Sequence, residues 1–139
     1  MQVPAPLDAM VQAIRRDADV ISARQMGRAL AEDLGFNRPD QALVATAISE
    51  LARNIVVYAD HGEIELTALQ QGDRQGIRII ARDHGPGIAD LERALCDGFS
   101  TGNSLGLGLP GTRRIMDEFD IRSPPGEGVT IIAVKWQLR

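Results

Sequence analysis

The chain has 139 residues, 44% hydrophobic and 24% charged, with nineteen acids against fifteen bases and a net charge of −4. That length holds one core, and the acidic balance argues against the basic face on which nucleic-acid modules depend. A single cysteine, Cys96, excludes an internal disulfide, and no apolar run approaches the ~20 residues of a membrane span.

The first residues, MQVPAPLDAM, lack the basic and apolar regions of a signal peptide, so the expectation is a cytoplasmic protein that engages neither membrane nor nucleic acid. The two histidines, His61 and His84, lie far apart in sequence without a cysteine partner, which argues against a structural zinc. Residues 1–7 read as a loose terminus, and Met10 to Ile14 as a short first strand. From Asp19 the pattern is helical: Val20, Ala23, Gly27, Leu30 and Leu34 fall on one face, and Gly35 ends the helix.

Asp40 is an N-cap candidate for a second helix reaching Ala59, with Leu43, Ala47, Leu51, Ile55 and Tyr58 as its apolar stripe. Glu50 and Asn54 stack one turn apart at the edge of that stripe. Period-two alternation at Ile64, Leu66 and Ala68, a QQGDRQG turn and the run Ile77–Ala81 predict a β-hairpin. Leu91, Ala94 and Leu95 suggest a short helix, and a further helix is expected over about Leu109–Phe119. A strand pair, Ile121–Ser123 and Val129–Leu138, closes the chain around a PPGEG turn. This order favours an α+β, two-layer sandwich: a mixed, mostly antiparallel sheet with helices on one face.

Three patches carry chemistry. On the second helix, a carboxylate and an amide one turn apart suit a single metal–phosphate centre: an amide oxygen is a hard ligand for Mg²⁺, and a carboxylate can accept a hydroxyl proton. Two solvated flank residues would look the same. DHGPGI (83–88) ends a strand with an acceptor for an exocyclic amine, followed by glycines that admit a flat ring; an ordinary turn has the same composition. Residues 102–108, GNSLGLG, run into a helix and bare backbone N–H groups for phosphate, although neither the P-loop nor the dinucleotide fingerprint is matched. A flexible linker is the alternative there.

Together, ExxxN on a helix, DxGxG after a strand and GxG before a helix resemble the boxes of the GHKL (Bergerat-fold) ATPases over about residues 40–135. ATAISELARNI, DHGPGI, DGFST and GLGLPGTRRIMDEFDI, with GEG and AVKW, are similar to the serine/threonine kinases of the bacterial stressosome, the RsbT type. The resemblance implies one kinase domain over 1–139 that uses ATP and Mg²⁺, with residues 90–108 as a lid over nucleotide. It implies Asn54 as the Mg²⁺ ligand, Glu50 as the catalytic proton acceptor and Asp83 as partner of the adenine amine. Gly85 and Gly87 would clear space for the ring. Ser100, Thr101, Gly106, Leu107 and Gly108 would lie along the triphosphate.

The implied partners are STAS-domain substrates and a PP2C-type phosphatase. Alternatives are an anti-sigma factor kinase of the RsbW/SpoIIAB type that sequesters sigma factor, and a nucleotide-gated adaptor without transfer activity.

Three departures from that family matter. No lysine or arginine lies between Arg93 and Arg113, so Mg²⁺, backbone N–H groups and hydroxyls, Ser104 and Thr112 among them, must offset phosphate charge. Val57 stands where many histidine kinases carry a lysine. Val129 takes the slot after GEG where threonine is usual, and Thr130 comes next. Successive strand residues point to opposite faces, so Thr130, kept among the nucleotide-site residues, is expected to miss the adenine side and base affinity to be modestly lower.

Overall fold

The computed structural model describes residues 9–85, 108–124 and 126–138. Element order is β1 (Met10–Ile14), α1 (Asp17–Asp33), α2 (Arg38–Tyr58), β2 (Gly62–Gln71), β3 (Arg74–Asp83), α3 (Gly108–Ile115), β4 (Glu118–Arg122) and β5 (Thr130–Trp136). The strands form one five-stranded sheet in the order β1-β2-β3-β5-β4, and every pairing among these described strands is antiparallel. No helix among the described residues is long and apolar enough to cross a membrane.

Helix α1 begins two residues earlier than its periodicity predicts, because the Asp19 carboxylate accepts the backbone N–H groups of Arg15 and Arg16 (2.9 and 3.2 Å). Gly35 ends it at φ +83°, as expected of a glycine after a helix. At α2 the cap is Asn37 and not Asp40: the Asn37 side chain accepts the Asp40 N–H at 2.8 Å, with Pro39 in the first turn. Asp40 lies inside the helix and is buried.

The buried stripe of α2 is Val44, Ala47, Ile48, Leu51, Ala52 and Ile55. The expected stripe from Leu43 to Tyr58 steps almost entirely by four residues. Each such step rotates about 40° past a full turn, so its two ends drift off the face. Leu43 is half-buried and Tyr58 is 47% exposed.

Helices α1 and α2 cover one face of the sheet, where Ile14, Ile64, Leu66, Ile79, Ala81, Ile131 and Ala133 join the core. Gly27 lets the helices close: a Cβ there would collide with the Ile48 side chain. The hairpin extends further into QQGDRQG than the composition suggested. It turns on Gly72–Asp73 alone, with Gly72 at φ +63°, matching a two-residue loop that begins on glycine. On the other face Leu69, Val134 and Trp136 form a second cluster, with the Trp136 ring lying over Gly76.

Helix α3 stops at Ile115, four residues short of expectation, and Phe119 lies in β4. The intervening turn is held by β5. The Lys135 ammonium donates to the Ile115 carbonyl (3.1 Å), and the Trp136 N–H donates to the Asp117 carboxylate (2.6 Å). These long-range bonds override the local helical period.

Candidate functional site

Glu50 is only 4% exposed, which removes the solvated-flank reading. It projects from the face of α2 that packs on the rest of the molecule, with the Arg53 guanidinium 3.4 Å from its Oε1. A carboxylate leaves water only at considerable cost, so its burial beside a cation marks a built position. Asn54 follows one turn later and is half-buried, and its side-chain amide makes no hydrogen bond among the described residues. An uncommitted amide beside a buried carboxylate fits an oxygen-ligand metal such as Mg²⁺, which needs few protein donors. Val57, in the next turn, is 56% exposed.

Asp83 is the last residue of β3, and its position is fixed by three hydrogen bonds. Its N–H donates to the Val129 carbonyl (2.9 Å), and its Oδ1 accepts the N–H groups of Gly85 (3.0 Å) and Val129 (3.1 Å). Both side-chain bonds fall on Oδ1, so Oδ2 is outside them. A carboxylate held this way can accept from an exocyclic amine without reorganising.

Glycines let the segments close on one another. Gly128, at φ +83°, lies against the Asp83 backbone, where a Cβ would collide with the carbonyl oxygen. At Gly85 a Cβ would come within 2.8 Å of the Ala59 Cβ and 3.0 Å of the Tyr58 carbonyl oxygen. The missing Cβ of Gly85 seats the loop on the end of α2.

Gly108 opens α3 at φ +67°, and α3 packs against α2. Its carbonyl accepts the Thr112 hydroxyl (2.8 Å). Thr112, expected to help offset phosphate charge, is fully buried with its proton donated inside the helix, so it is removed from that role.

Thr130 lies as strand alternation predicts. It pairs with Arg82 and Arg122, one residue out of step with Asp83, so it points to the face away from α2. Val129 lies on the core side instead and is buried. Among the described candidates, α2 therefore carries Glu50 and Asn54, receives Gly85 at its end and packs against the helix that Gly108 opens. Gly87, Ser100, Thr101, Ser104, Gly106 and Leu107 lie outside the described residues, as do the short helix expected near Leu91–Leu95 and residues 90–107 of the lid.

Two contributors were missed. Arg53 was signalled by its i+3 spacing from Glu50. The backbone of Gly128 and Val129 bracing Asp83 had no local signal, because its partner is 46 residues away.

The sequence pattern described as "Histidine kinase-like ATPase domain" matches residues 14–136. The chain is 50% identical over 123 residues to the serine/threonine-protein kinase RsbT of Bacillus subtilis (strain 168), covering 88% of this chain and 92% of that protein. It is 30% identical to an anti-sigma F factor of Thermoanaerobacter sp. (strain X514), with 82% of each covered. Among solved structures, the nucleotide-free catalytic domain of histidine kinase ThkA superposes with a TM-score of 0.53 at 15% identity, over 92% of this chain and 96% of that one. The last likeness concerns the fold alone. Together with the sequence matches and the helix-borne Glu50–Asn54 pair, it leads to one assignment: the chain belongs to the histidine kinase-like ATPase domain family.

Proposed function

We propose that this chain is a cytoplasmic serine/threonine-protein kinase that uses Mg·ATP to phosphorylate STAS-domain regulatory proteins, working as a partner switch in stress signalling. The observation that carries the reading is the burial of Glu50 one helical turn from the uncommitted Asn54 amide. The 50% identity to a protein named as a serine/threonine kinase supports it.

In phosphoryl transfer the protein mainly positions groups and accepts one proton. Glu50 takes that proton from the attacking hydroxyl, and Arg53 holds its carboxylate in place. Asn54 offers its amide oxygen to Mg²⁺, which when bound offsets phosphate charge. Asp83 Oδ2 accepts the adenine amine while Oδ1 stays tied to the backbone. The positive N-terminal end of α3 at Gly108 would attract the phosphates, and the family resemblance assigns Ser100, Thr101, Gly106 and Leu107 to the phosphates and Gly87 to the base. The lid role of residues 90–108 is the one the family resemblance assigns. A PP2C-type phosphatase is the partner expected downstream.

The test is incubation of the recombinant chain with radiolabelled Mg·ATP and candidate STAS proteins. Label on a serine or threonine of the partner, lost in Glu50→Gln, is the expected result. Transfer at the parental rate by Glu50→Gln overturns the assignment of the base.

The 30% identity to an anti-sigma F factor favours a second reading, an RsbW/SpoIIAB-like kinase that also sequesters sigma factor. Capture of a sigma factor by the tagged chain would establish it. Nucleotide-dependent partner binding without any transfer would establish the adaptor reading.

A further inference from the structure

His61 and His84 stand 23 residues apart in the chain, a separation that argues against a shared metal. The fold nonetheless brings the two residues together. His61 lies just before β2 and His84 just after β3, and the register that sets Gly62 opposite Asp83 brings them side by side. The His84 N–H donates to the His61 carbonyl at 3.2 Å, and the two imidazole centroids are 4.8 Å apart with the rings inclined at 33°. Both residues are exposed.

That separation is short enough for the two rings to share one ion. A metal bound to an imidazole nitrogen at about 2.0–2.1 Å lies about 3.1 Å from the ring centre, so two rings at about 100° around it have centroids about 4.8 Å apart. The backbone is already held on both sides by the β2–β3 ladder, the His84–His61 bond and the seating of Gly85 on Ala59. Chelation then orders only two side chains, which keeps its entropic cost low.

We propose that His61 and His84 form a two-imidazole site for a borderline divalent transition metal, zinc foremost. Imidazole nitrogen prefers Zn²⁺, Cu²⁺ and Ni²⁺, whereas Mg²⁺ prefers oxygen, so this site and the Asn54 amide select different ions. Among the described residues no third histidine, cysteine, aspartate or glutamate converges on the pair. The site is thus open, with water completing the shell, unlike a closed four-ligand structural site. Occupancy ties the loop after Asp83 to the exit of α2. The proposal stands independently of the transfer chemistry.

The test uses the full chain carrying Cys96→Ser, which removes the one competing thiol, with Mg²⁺ in excess. Zinc chloride is titrated calorimetrically while the ring-proton signals of the two histidines are followed by NMR. One ion per chain, both rings responding with the same saturation, and a raised melting temperature are expected, since an ion bound only to the folded state stabilises it. His61→Gln and His84→Gln should each weaken binding by about tenfold or more and abolish the thermal shift. Their metal-free melting curves separate a lost ligand from a lost fold. Zinc binding to either variant as tightly as to the parent, a response of one ring alone, or no response of either ring overturns the proposal.

Discussion

The Asp83 Oδ1 atom accepts the backbone N–H of Val129 at 3.1 Å, joining the end of β3 to the start of β5 across 46 residues of chain. The same oxygen accepts the Gly85 N–H, so one carboxylate oxygen holds two loops while the other lies outside both bonds. In the proposed function, structure and recognition are divided between two atoms of one side chain.

That division can be tested by Asp83→Asn. The amide oxygen can keep both backbone bonds, so stability should fall by no more than about 1–2 kcal/mol. The NH₂ replacing Oδ2 would face the adenine amine donor to donor, and nucleotide affinity should fall by roughly tenfold or more. Asp83→Ala should lose both properties. Urea unfolding and ATP titration read the two effects separately.

Glu50→Gln preserves shape and removes the proton acceptor. Transfer should slow by about 10²–10⁴-fold, with ATP affinity within a few-fold of the parent. Phosphorylation rates set beside equilibrium nucleotide binding make the comparison, and a parallel loss of both would move Glu50 from catalysis to binding.

Gly128→Ala faces two obstacles: a left-handed backbone at φ +83° and a collision with the Asp83 carbonyl. A cost of about 2–4 kcal/mol is expected from strain combined with disruption of the Asp83 brace. Gly126→Ala is the control, since it shares positive φ but has nothing near its Cβ. Thermal melting of the two variants should differ clearly, with Gly126→Ala the milder.

Val129→Thr places a hydroxyl on the core side of the sheet beside Asp83, where Thr130 cannot reach. One added hydrogen bond is worth about 0.5–1.5 kcal/mol, so ATP should bind roughly 2- to 10-fold more tightly. Titration with ATP is the check, and unchanged affinity removes the threonine argument.

Much of the fold was legible because it is written in local periodicity. The strand at Met10–Ile14, both long helices, the hairpin and the glycine stop at Gly35 follow from spacing and turn chemistry. The errors have one character. Ile115, Met116 and Phe119 keep a helical period that predicts α3 as far as Phe119, whereas Lys135 and Trp136 of β5 hold the chain out of helix from Met116 onward. Asp40 has a capping side chain, but Asn37 stands where it can accept the Asp40 N–H.

By itself, the sequence determined which chemical groups exist and how they are spaced: a carboxylate and an amide one turn apart, an aspartate at a strand end, glycine where the backbone must approach closely. Tertiary structure alone decided that Glu50 is buried, that Val129 braces Asp83, and that two distant histidines become neighbours. The reason is that side-chain spacing along a helix or strand is a property of neighbouring residues. Burial and strand register are set by partners tens of residues away, through packing and hydrogen bonds that no local window contains.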